Sequence, residues 1–360
     1  MANRDSMLRC VAVAAMIVLT AVMAVGCRRH DGSSTAAPPS QATAAATSAA
    51  GSVGSPAAGA SAQSTGTAAG PLRTANSALR VKGTPGCALP LPAGLEAGKT
   101  TVREIDAGGT RRSYRLHVPV SYERGRAMPL VLNFHGRGSN AREQEAYSGF
   151  VPLSESEGFV LVTPDALGDP QQWSATVLQK TPDDIAFTRT LLDSIEGELC
   201  IDANRVFSAG ISSGAAMSSY AGCLLGDRIA AIGPVAAVYY PRQGCKGKPA
   251  VLAFHGTDDK VVPFDGGVGL AGVLYGGAKP GAQGWAEANG CGPAPAETRL
   301  SEHVTELNWT GCRSDVHLVV IKGGGHTWPG AIPVPVLGPT TSEVSAAKML
   351  WQFFSSHPLE

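Results

Sequence analysis

The chain lacks an excess of charge of either sign. It has 29 Lys and Arg residues against 29 Asp and Glu residues in a length of 360, so its formal net charge is zero. A nucleic-acid-binding protein needs a basic surface to neutralise phosphates, and electrostatic attachment to anionic lipids needs one too. The composition therefore argues against a nucleic-acid partner and against a polybasic membrane-surface protein.

Aromatic residues and metal-ligand spacings are also scarce. Only 6% of the residues are aromatic although 44% are hydrophobic. The sequence has no Cys-x-x-Cys and no closely spaced histidine pair of the kind that binds zinc. We therefore predict a protein with no metal ion and no cofactor.

Residues 31–80 contain no aromatic residue, no Ile and no Met. Ala, Ser, Gly, Thr and Pro make up 41 of these 50 residues. Such a composition has nothing with which to form a core, so residues 27–82 are predicted to be a disordered tether. Residues 81–360 carry 23 basic and 27 acidic groups, which is an ordinary charge balance for a soluble domain.

No apolar run is long enough for a comfortable transmembrane helix. The longest, Val11 to Val25, has 15 residues without a charge and follows Arg4 and Arg9. Together with the Ala-Val-Gly-Cys that ends at Cys27, it resembles a bacterial lipoprotein signal over residues 1–26, with Cys27 as the lipid-bearing membrane anchor. Ordinary signal peptidase cleavage at the same bond is the alternative. Both predict export, as a cell-surface lipoprotein or as a secreted protein.

Six cysteines remain beyond Cys10 in the signal and Cys27 at the anchor. An even number in an oxidising compartment predicts up to three disulfides. Proximity along the chain favours Cys223 with Cys245 and Cys291 with Cys312, which leaves Cys87 with Cys200.

From about residue 83 onward, apolar strand patterns alternate with helical ones. Most of the strand patterns are continuous apolar runs, which are typical of a sheet covered on both faces. This alternation predicts a single α/β catalytic domain, residues 83–360, with a doubly wound, mainly parallel sheet. The predicted strands are 114–118, 130–134, 159–162, 206–208, 229–235, 251–254 and 316–321, and the predicted helices are 142–157, 183–199, a helix from 213 onward, and 344–354.

A Gly-x-Ser-x-Gly motif, Gly210–Gly214, follows the strand at 206–208 and enters a helix. Such a tight turn holds a serine hydroxyl clear of the sheet, so Ser212 is the predicted nucleophile. A serine needs a base to take its proton and an acid to orient that base. His326 is the predicted base, because it follows the strand ending at Ile321 across a glycine-rich loop.

The acid should follow a strand between the serine and the histidine in the chain. Asp258 and Asp259 both follow the strand at 251–254, whereas Asp165 follows an earlier strand and precedes the serine. The residues by themselves leave Asp258 and Asp259 as alternatives.

An acyl-transfer site also needs backbone donors for the oxyanion. One is the N–H of Ser213, directly after the nucleophile, and the other is predicted to be the N–H of Arg137 in the loop after the strand at 130–134. His135 in that loop is predicted to be a structural hydrogen-bonding residue, because the main chain fills this role.

Four segments together resemble the polyhydroxybutyrate depolymerase and feruloyl esterase group of the α/β-hydrolases. They are 133–136, 210–214, 255–263 and 324–330, the last reading Gly-Gly-His-Thr-Trp-Pro-Gly. The resemblance implies an α/β-hydrolase fold from about residue 83 and Asp259 as the acid. Cys291 and Cys312, flanked by Trp285 and Trp309, also resemble the group, whereas Arg137 stands where relatives often have Cys.

These residues predict an exported serine esterase that acts through an acyl-enzyme on a polymer or oligomer ester. Trp328, Trp173, Tyr239 and Tyr240 are candidates for lining the substrate pocket, with core packing as the alternative. Two other functions stay open, an acyltransferase of the same fold and a non-catalytic surface-anchored binding lipoprotein. The sequence does not choose among hydroxyalkanoate, feruloyl and acetylated-glycan esters.

Overall fold

A ten-stranded mixed sheet forms the centre of the fold. The computed structural model describes residues 81–174, 183–241 and 245–359. The strands are β1 (Lys99–Ala107), β2 (Thr110–Val118), β3 (Met128–Phe134), β4 (Val160–Pro164), β5 (Leu167–Gly168), β6 (Gln171–Gln172), β7 (Ile201–Ile211), β8 (Ala231–Val235), β9 (Ala250–Gly256), β10 (Gly267–Val268), β11 (Leu274–Tyr275), β12 (Pro295–Arg299), β13 (Val304–Trp309) and β14 (Val316–Ile321). β5 with β6 and β10 with β11 form two small separate hairpins.

The ten strands follow the order β1-β2-β4-β3-β7-β8-β9-β14-β13-β12. Neighbours from β4 to β14 are parallel, and the two strands at each edge are antiparallel. The residues of β3, β4, β8 and β9 are all buried, as expected for central strands whose apolar runs are covered on both faces.

Helices cover both faces of this sheet. They are α1 (Ala141–Ser148), α2 (Phe150–Glu157), α3 (Asp184–Glu198), α4 (Ser213–Leu224), α5 (Ala278–Ala288) and α6 (Ala346–Ser355). Leu191 of α3 and Met217 of α4 belong to one buried apolar cluster, and Phe150 of α2 and Leu350 of α6 belong to another. The predicted doubly wound, mainly parallel sheet is therefore confirmed.

The prediction of one helix over 142–157 is wrong. Gly149 adopts φ 73°, a left-handed conformation that ends α1 and precedes α2. Sequence patterns also miss β1, β12 and β13. β1 alternates between exposed and half-buried residues and β12 is mostly exposed, so neither has the continuous apolar run by which the central strands were recognised.

Three disulfides are present among the described residues, and their pairing matches the one favoured by the sequence. Cys87 is joined to Cys200, Cys223 to Cys245, and Cys291 to Cys312. The first connects a 3₁₀ turn at Pro85–Ala88 to the residue before β7, so it fastens the start of the described chain to the sheet.

The predicted signal at 1–26, the lipidation site Cys27 and nearly all of the predicted tether at 27–82 lie outside the described residues. Within the described ranges, no helix is long and apolar enough to cross a membrane. The same ranges contain no group of three or more acidic, His or Cys side chains arranged to hold a metal ion.

Candidate active site

The predicted site residues follow central strands at one edge of the sheet. β3 ends at Phe134, β7 at Ile211, β9 at Gly256 and β14 at Ile321, and all four strands run in the same direction. The carboxyl ends of parallel strands meet at one edge, where α/β proteins place their ligands. The loops that carry Arg137, Ser212, Asp259 and His326 therefore share this carboxyl edge.

Ser212 lies in a strained turn between β7 and α4. Its φ of 58° and ψ of −120° fall outside the regions that non-glycine residues normally adopt. A Cβ placed on Gly210 would lie 2.4 Å from the carbonyl oxygen of Gly214, and one on Gly214 would lie 2.2 Å from that of Phe134. Both glycines of the motif are therefore required by close backbone contacts, as in the turn that presents a serine nucleophile.

His326 and Asp259 form a buried pair. His326 Nδ1 lies 2.8 Å from Asp259 Oδ2, and the two side chains are 5% and 0% exposed. The main-chain N–H of His326 donates to Leu337 O at 2.7 Å, which fixes the loop after β14. Because a carboxylate oxygen accepts, Nδ1 carries the proton, and the lone pair of a neutral ring is then on Nε2.

The environment of Asp259 favours its ionised form. Burial would raise its pKa, but hydrogen bonds from His255 and His326 and from the N–H of Val262 outweigh burial and hold the pKa well below its usual range. Asp259 Oδ1 accepts the N–H groups of Val261 and Val262, each at 2.8 Å. Four donors thus surround one carboxylate, which is how a buried charge is stabilised.

The other two candidate acids are engaged elsewhere. Asp258 is exposed, and its carboxylate accepts a hydrogen bond from Thr257. Asp165 accepts the N–H of Ala141 at 2.7 Å and the hydroxyl of Ser113 at 2.8 Å. Of the three aspartates weighed from the sequence, Asp259 is the one in contact with His326.

The loop after β3 packs against the serine turn. A Cβ on Gly136 would lie 3.5 Å from the Cβ of Ser212. Arg137 follows as an exposed residue. On the other side of the serine, Ser213 is the first residue of α4, where backbone N–H groups have no partner within the helix. The predicted oxyanion donors are therefore adjacent in sequence to the two residues in contact, since Arg137 follows Gly136 and Ser213 follows Ser212.

His135 holds this loop, as predicted for a structural histidine. Its Nε2 accepts the N–H of Ala166 at 3.0 Å, so the proton is on Nδ1, which lies 2.7 Å from Gly136 O. Burial lowers the pKa of His135 below its ordinary value, which keeps the ring neutral. Trp173 Nε1 donates to His135 O at 2.8 Å.

The aromatic residues proposed as pocket lining differ in position. Trp328 is 1% exposed and packs edge-on against Phe150, while Trp173 is 5% exposed and packs edge-on against Phe134. Tyr239 is 38% exposed and accepts a hydrogen bond from the Tyr220 hydroxyl. Tyr240, the fourth candidate, is partly buried and packs edge-on against Trp285. Tyr239 is therefore the most accessible of the four, and the two tryptophans near the site loops are core residues.

Sequence reasoning missed His255. Its Nε2 lies 3.3 Å from Asp259 Oδ2, so the acid contacts two histidines. A signal was present in the sequence, because the tripeptide Phe-His-Gly occurs at 134–136 and again at 254–256, each time at the carboxyl end of a parallel strand.

Comparisons with known proteins place the chain among ester hydrolases. No protein-family model matches it. Feruloyl esterase B of Piromyces equi is 34% identical over 224 residues, which are 58% of this chain but only 41% of that protein. "Putative esterase NocK" of Nocardia uniformis subsp. tsuyamanensis is 30% identical over 281 residues, 69% of this chain and 80% of that protein.

A solved structure shares the fold. An acetyl xylan esterase from Aspergillus awamori superposes with a TM-score of 0.53 and 16% sequence identity, covering 71% of this chain and 99% of that one. At this level of identity the similarity concerns the fold, and it agrees with the α/β-hydrolase fold implied by the sequence motifs.

Proposed function

The chain belongs to the esterase family of the α/β-hydrolases that includes feruloyl esterases and is a carboxylic ester hydrolase, and from this premise we propose that it is a serine esterase. In this proposal the nucleophile is Ser212, the general base is His326 and the acid is Asp259. The observation that carries the proposal is the buried 2.8 Å contact between His326 Nδ1 and Asp259 Oδ2. It lies at the same carboxyl edge as the strained serine turn.

The proposed reaction has two halves joined by an acyl-enzyme. His326 Nε2 takes the proton from the Ser212 hydroxyl while the serine oxygen attacks the ester carbonyl. The resulting tetrahedral oxyanion is stabilised by the N–H groups of Ser213 and Arg137. His326 then protonates the leaving alcohol, and the carbonyl forms again on Ser212.

Deacylation repeats these steps with water. His326 removes a proton from water as the water oxygen attacks the acyl-enzyme, and it returns that proton to Ser212 as the acid product leaves. Asp259 remains ionised throughout and stabilises the imidazolium that forms twice in each cycle. Its lowered pKa supports this role, since a protonated acid would not favour a charged His326.

We further propose that the substrate is a feruloyl or related aromatic ester carried by a larger polymer or oligomer. The name of the Piromyces equi relative supports this class. The half-exposed ring of Tyr239, just after β8 at the carboxyl edge, offers a surface on which an aromatic acyl group can stack. Methyl ferulate, acetylated xylan and hydroxybutyrate oligomers should be compared, with the highest kcat/KM expected for methyl ferulate.

Export and a lipid anchor at Cys27 belong to the same proposal. Three disulfides among the described residues support an oxidising compartment. Metabolic labelling of the full chain with radioactive palmitate tests the anchor, since an acylated protein is labelled and a secreted one is not.

Replacement of the proposed nucleophile tests the catalytic assignment. Ser212→Ala should lower kcat for a short p-nitrophenyl ester by about ten-thousand-fold or more, because no acyl-enzyme can form. The same variant should no longer react with a fluorophosphonate probe. Ser194→Ala, on α3 and hydrogen-bonded to Glu198, serves as a matched control with unchanged turnover. Retained turnover in Ser212→Ala contradicts the proposal.

A further inference from the structure

His255 is a buried histidine that the proposed mechanism does not use. It lies near the end of β9, four residues before Asp259, and its side chain is 0% exposed. Its Nε2 lies 3.0 Å from the carbonyl oxygen of Val262 and 3.3 Å from Asp259 Oδ2. The carboxylate that contacts His326 is thus shared with a second histidine.

The surroundings of His255 determine which ring nitrogen carries the proton. Both atoms near Nε2 are acceptors, a carbonyl oxygen and a carboxylate oxygen. Nδ1 is buried and has no hydrogen-bond partner among the described residues. A proton on Nδ1 would be an unpaired buried N–H, which is costly, whereas a proton on Nε2 reaches two acceptors. A neutral ring therefore carries its proton on Nε2.

Packing holds this ring in place. The His255 ring lies 5.8 Å from that of Phe264 and 6.1 Å from that of Tyr275. The Tyr275 hydroxyl donates to Val238 O at 2.7 Å, away from the histidine. Asp259 is the charged group in contact with His255, and its Oδ2 lies 3.3 Å from Nε2, beside the carbonyl oxygen of Val262 to which Nε2 is hydrogen-bonded.

We propose that His255 is a positioning residue that orients the carboxylate of Asp259 toward His326. Oδ1 is held by the N–H groups of Val261 and Val262, and Oδ2 lies 2.8 Å from His326 Nδ1 and 3.3 Å from His255 Nε2. Without His255, Oδ2 keeps a single donor, and the carboxylate is free to tilt about the main-chain pair. This inference rests on the proposed role of Asp259 as the acid.

Two substitutions distinguish the hydrogen-bond donor of His255 from the volume of its side chain. His255→Gln keeps an N–H at a similar distance from the main chain, whereas His255→Met fills the space with a flexible apolar side chain and removes the donor. His117→Met is the matched control, because His117 is also buried but is hydrogen-bonded to Thr100 and lies within ion-pair distance of Glu155, away from the carboxyl edge.

The kinetic readout is the pH dependence of kcat/KM for a soluble ester. In His255→Met, we expect kcat to fall about 10- to 100-fold with KM little changed, since binding is not altered. The acidic limb of the kcat/KM profile should move to lower pH, because a carboxylate that has tilted away from His326 stabilises its imidazolium less. His255→Gln should keep the wild-type limb, and His117→Met should lose stability without moving it.

A second readout does not depend on activity. The downfield proton resonance of the His326 Nδ1–H reports its bond to Asp259 and should shift in His255→Met but not in His255→Gln. In the unsubstituted protein, histidine nitrogen NMR should find the Nε2–H tautomer for His255, and an Nδ1–H tautomer overturns the proposal even if His255→Met does not fold.

An unchanged acidic limb and an unchanged resonance in folded His255→Met also overturn the inference. Failure of the proposed function is a separate result, since it appears as activity or fluorophosphonate labelling retained in Ser212→Ala. The resonance and the tautomer can be measured whichever residue proves to be the nucleophile.

Discussion

The chain uses the tripeptide Phe-His-Gly twice, at 134–136 where β3 ends and at 254–256 where β9 ends, and the two turns that begin there have different roles. At the first, the His135 Nε2 accepts the N–H of Ala166, so its proton is on Nδ1. At the second, the His255 Nε2 faces two acceptors, so its proton is on Nε2. The same residue in the same local setting thus carries its proton on opposite nitrogens.

The partners explain the difference. Main-chain groups and the Trp173 indole surround His135, and they fix the loop that precedes Arg137. The second turn continues into Asp259, whose carboxylate comes within 3.3 Å of His255. The role of a histidine in a buried turn therefore depends on the groups packed against it, because its hydrogen-bond partners determine its tautomer.

The glycines of the two turns differ as well. A Cβ on Gly256 would lie 2.2 Å from Gly324 O and 2.6 Å from Gly325 O, both in the loop that leads to His326. The nearest atom to a Cβ on Gly136 would be the Ser212 Cβ at 3.5 Å, an ordinary contact. At the second turn, Gly256 is in close contact with the backbone of the loop that leads to His326. At the first turn, the space beside Ser212 can hold a Cβ on Gly136.

The largest expected effect concerns the acid beside the second turn. Asp259→Asn should lower kcat/KM by about ten-thousand-fold, because an amide neither favours the Nδ1–H tautomer of His326 nor stabilises its cation. Steady-state kinetics on a soluble ester provide the measurement. Asp258→Asn is the matched control and should remain within about twofold of wild type, as its exposed carboxylate has no contact with His326. Similar losses of kcat/KM in both variants would show that Asp259 has no role that Asp258 lacks.

The two glycines provide the next comparison. Gly256→Ala should lower the free energy of unfolding by about 3 kcal/mol or more, since backbone on both sides has to shift to admit the methyl group. Gly136→Ala should change it by less than about 1 kcal/mol, because its methyl group meets ordinary contact distances. Urea unfolding of both variants measures this difference, and equal destabilisation would show that the two turns are not packed differently.

The smallest effect concerns the indole that holds the first turn. Trp173→Phe removes the donor to His135 O and should cost about 1–2 kcal/mol of stability, with a several-fold loss in kcat and no movement of the acidic limb. Trp309→Phe is the control, because it removes a similar indole bond, to Gln283 at 2.8 Å, in the antiparallel edge of the sheet. It should lose comparable stability and keep kcat. A drop in kcat in both variants would indicate general loosening of the fold.

The central fold was predictable from the sequence because continuous apolar runs report burial on both faces. The strand at 130–134 and the strand at 316–321 were found in this way, and both belong to the parallel region of the sheet. The edge strands β1 and β12 were not found, because their exposed residues follow no apolar run. The break at Gly149 was missed since the helical pattern continues across it, and only the backbone angle ends the first helix.

The candidate site likewise has parts that could be predicted from the sequence and parts that could not. The serine turn was recognisable because its glycines are required by contacts within one short segment and with the adjacent strand. The choice between Asp258 and Asp259 could not be made from the residues and depended on family resemblance. Trp173 was a candidate for pocket lining with core packing as the alternative, and its indole is bonded to the loop after β3, a contact that no local pattern indicates.

The sequence by itself determined which segments become buried strands, where a serine is forced into a tight turn, and which loops follow strands. Those features depend on neighbours along the chain, and their steric and hydrophobic consequences can be read locally. Only the tertiary structure decided which aspartate meets His326, 67 residues away, and which nitrogen of each buried histidine carries its proton. Such choices depend on hydrogen bonds between segments that come together only when the sheet aligns its strands.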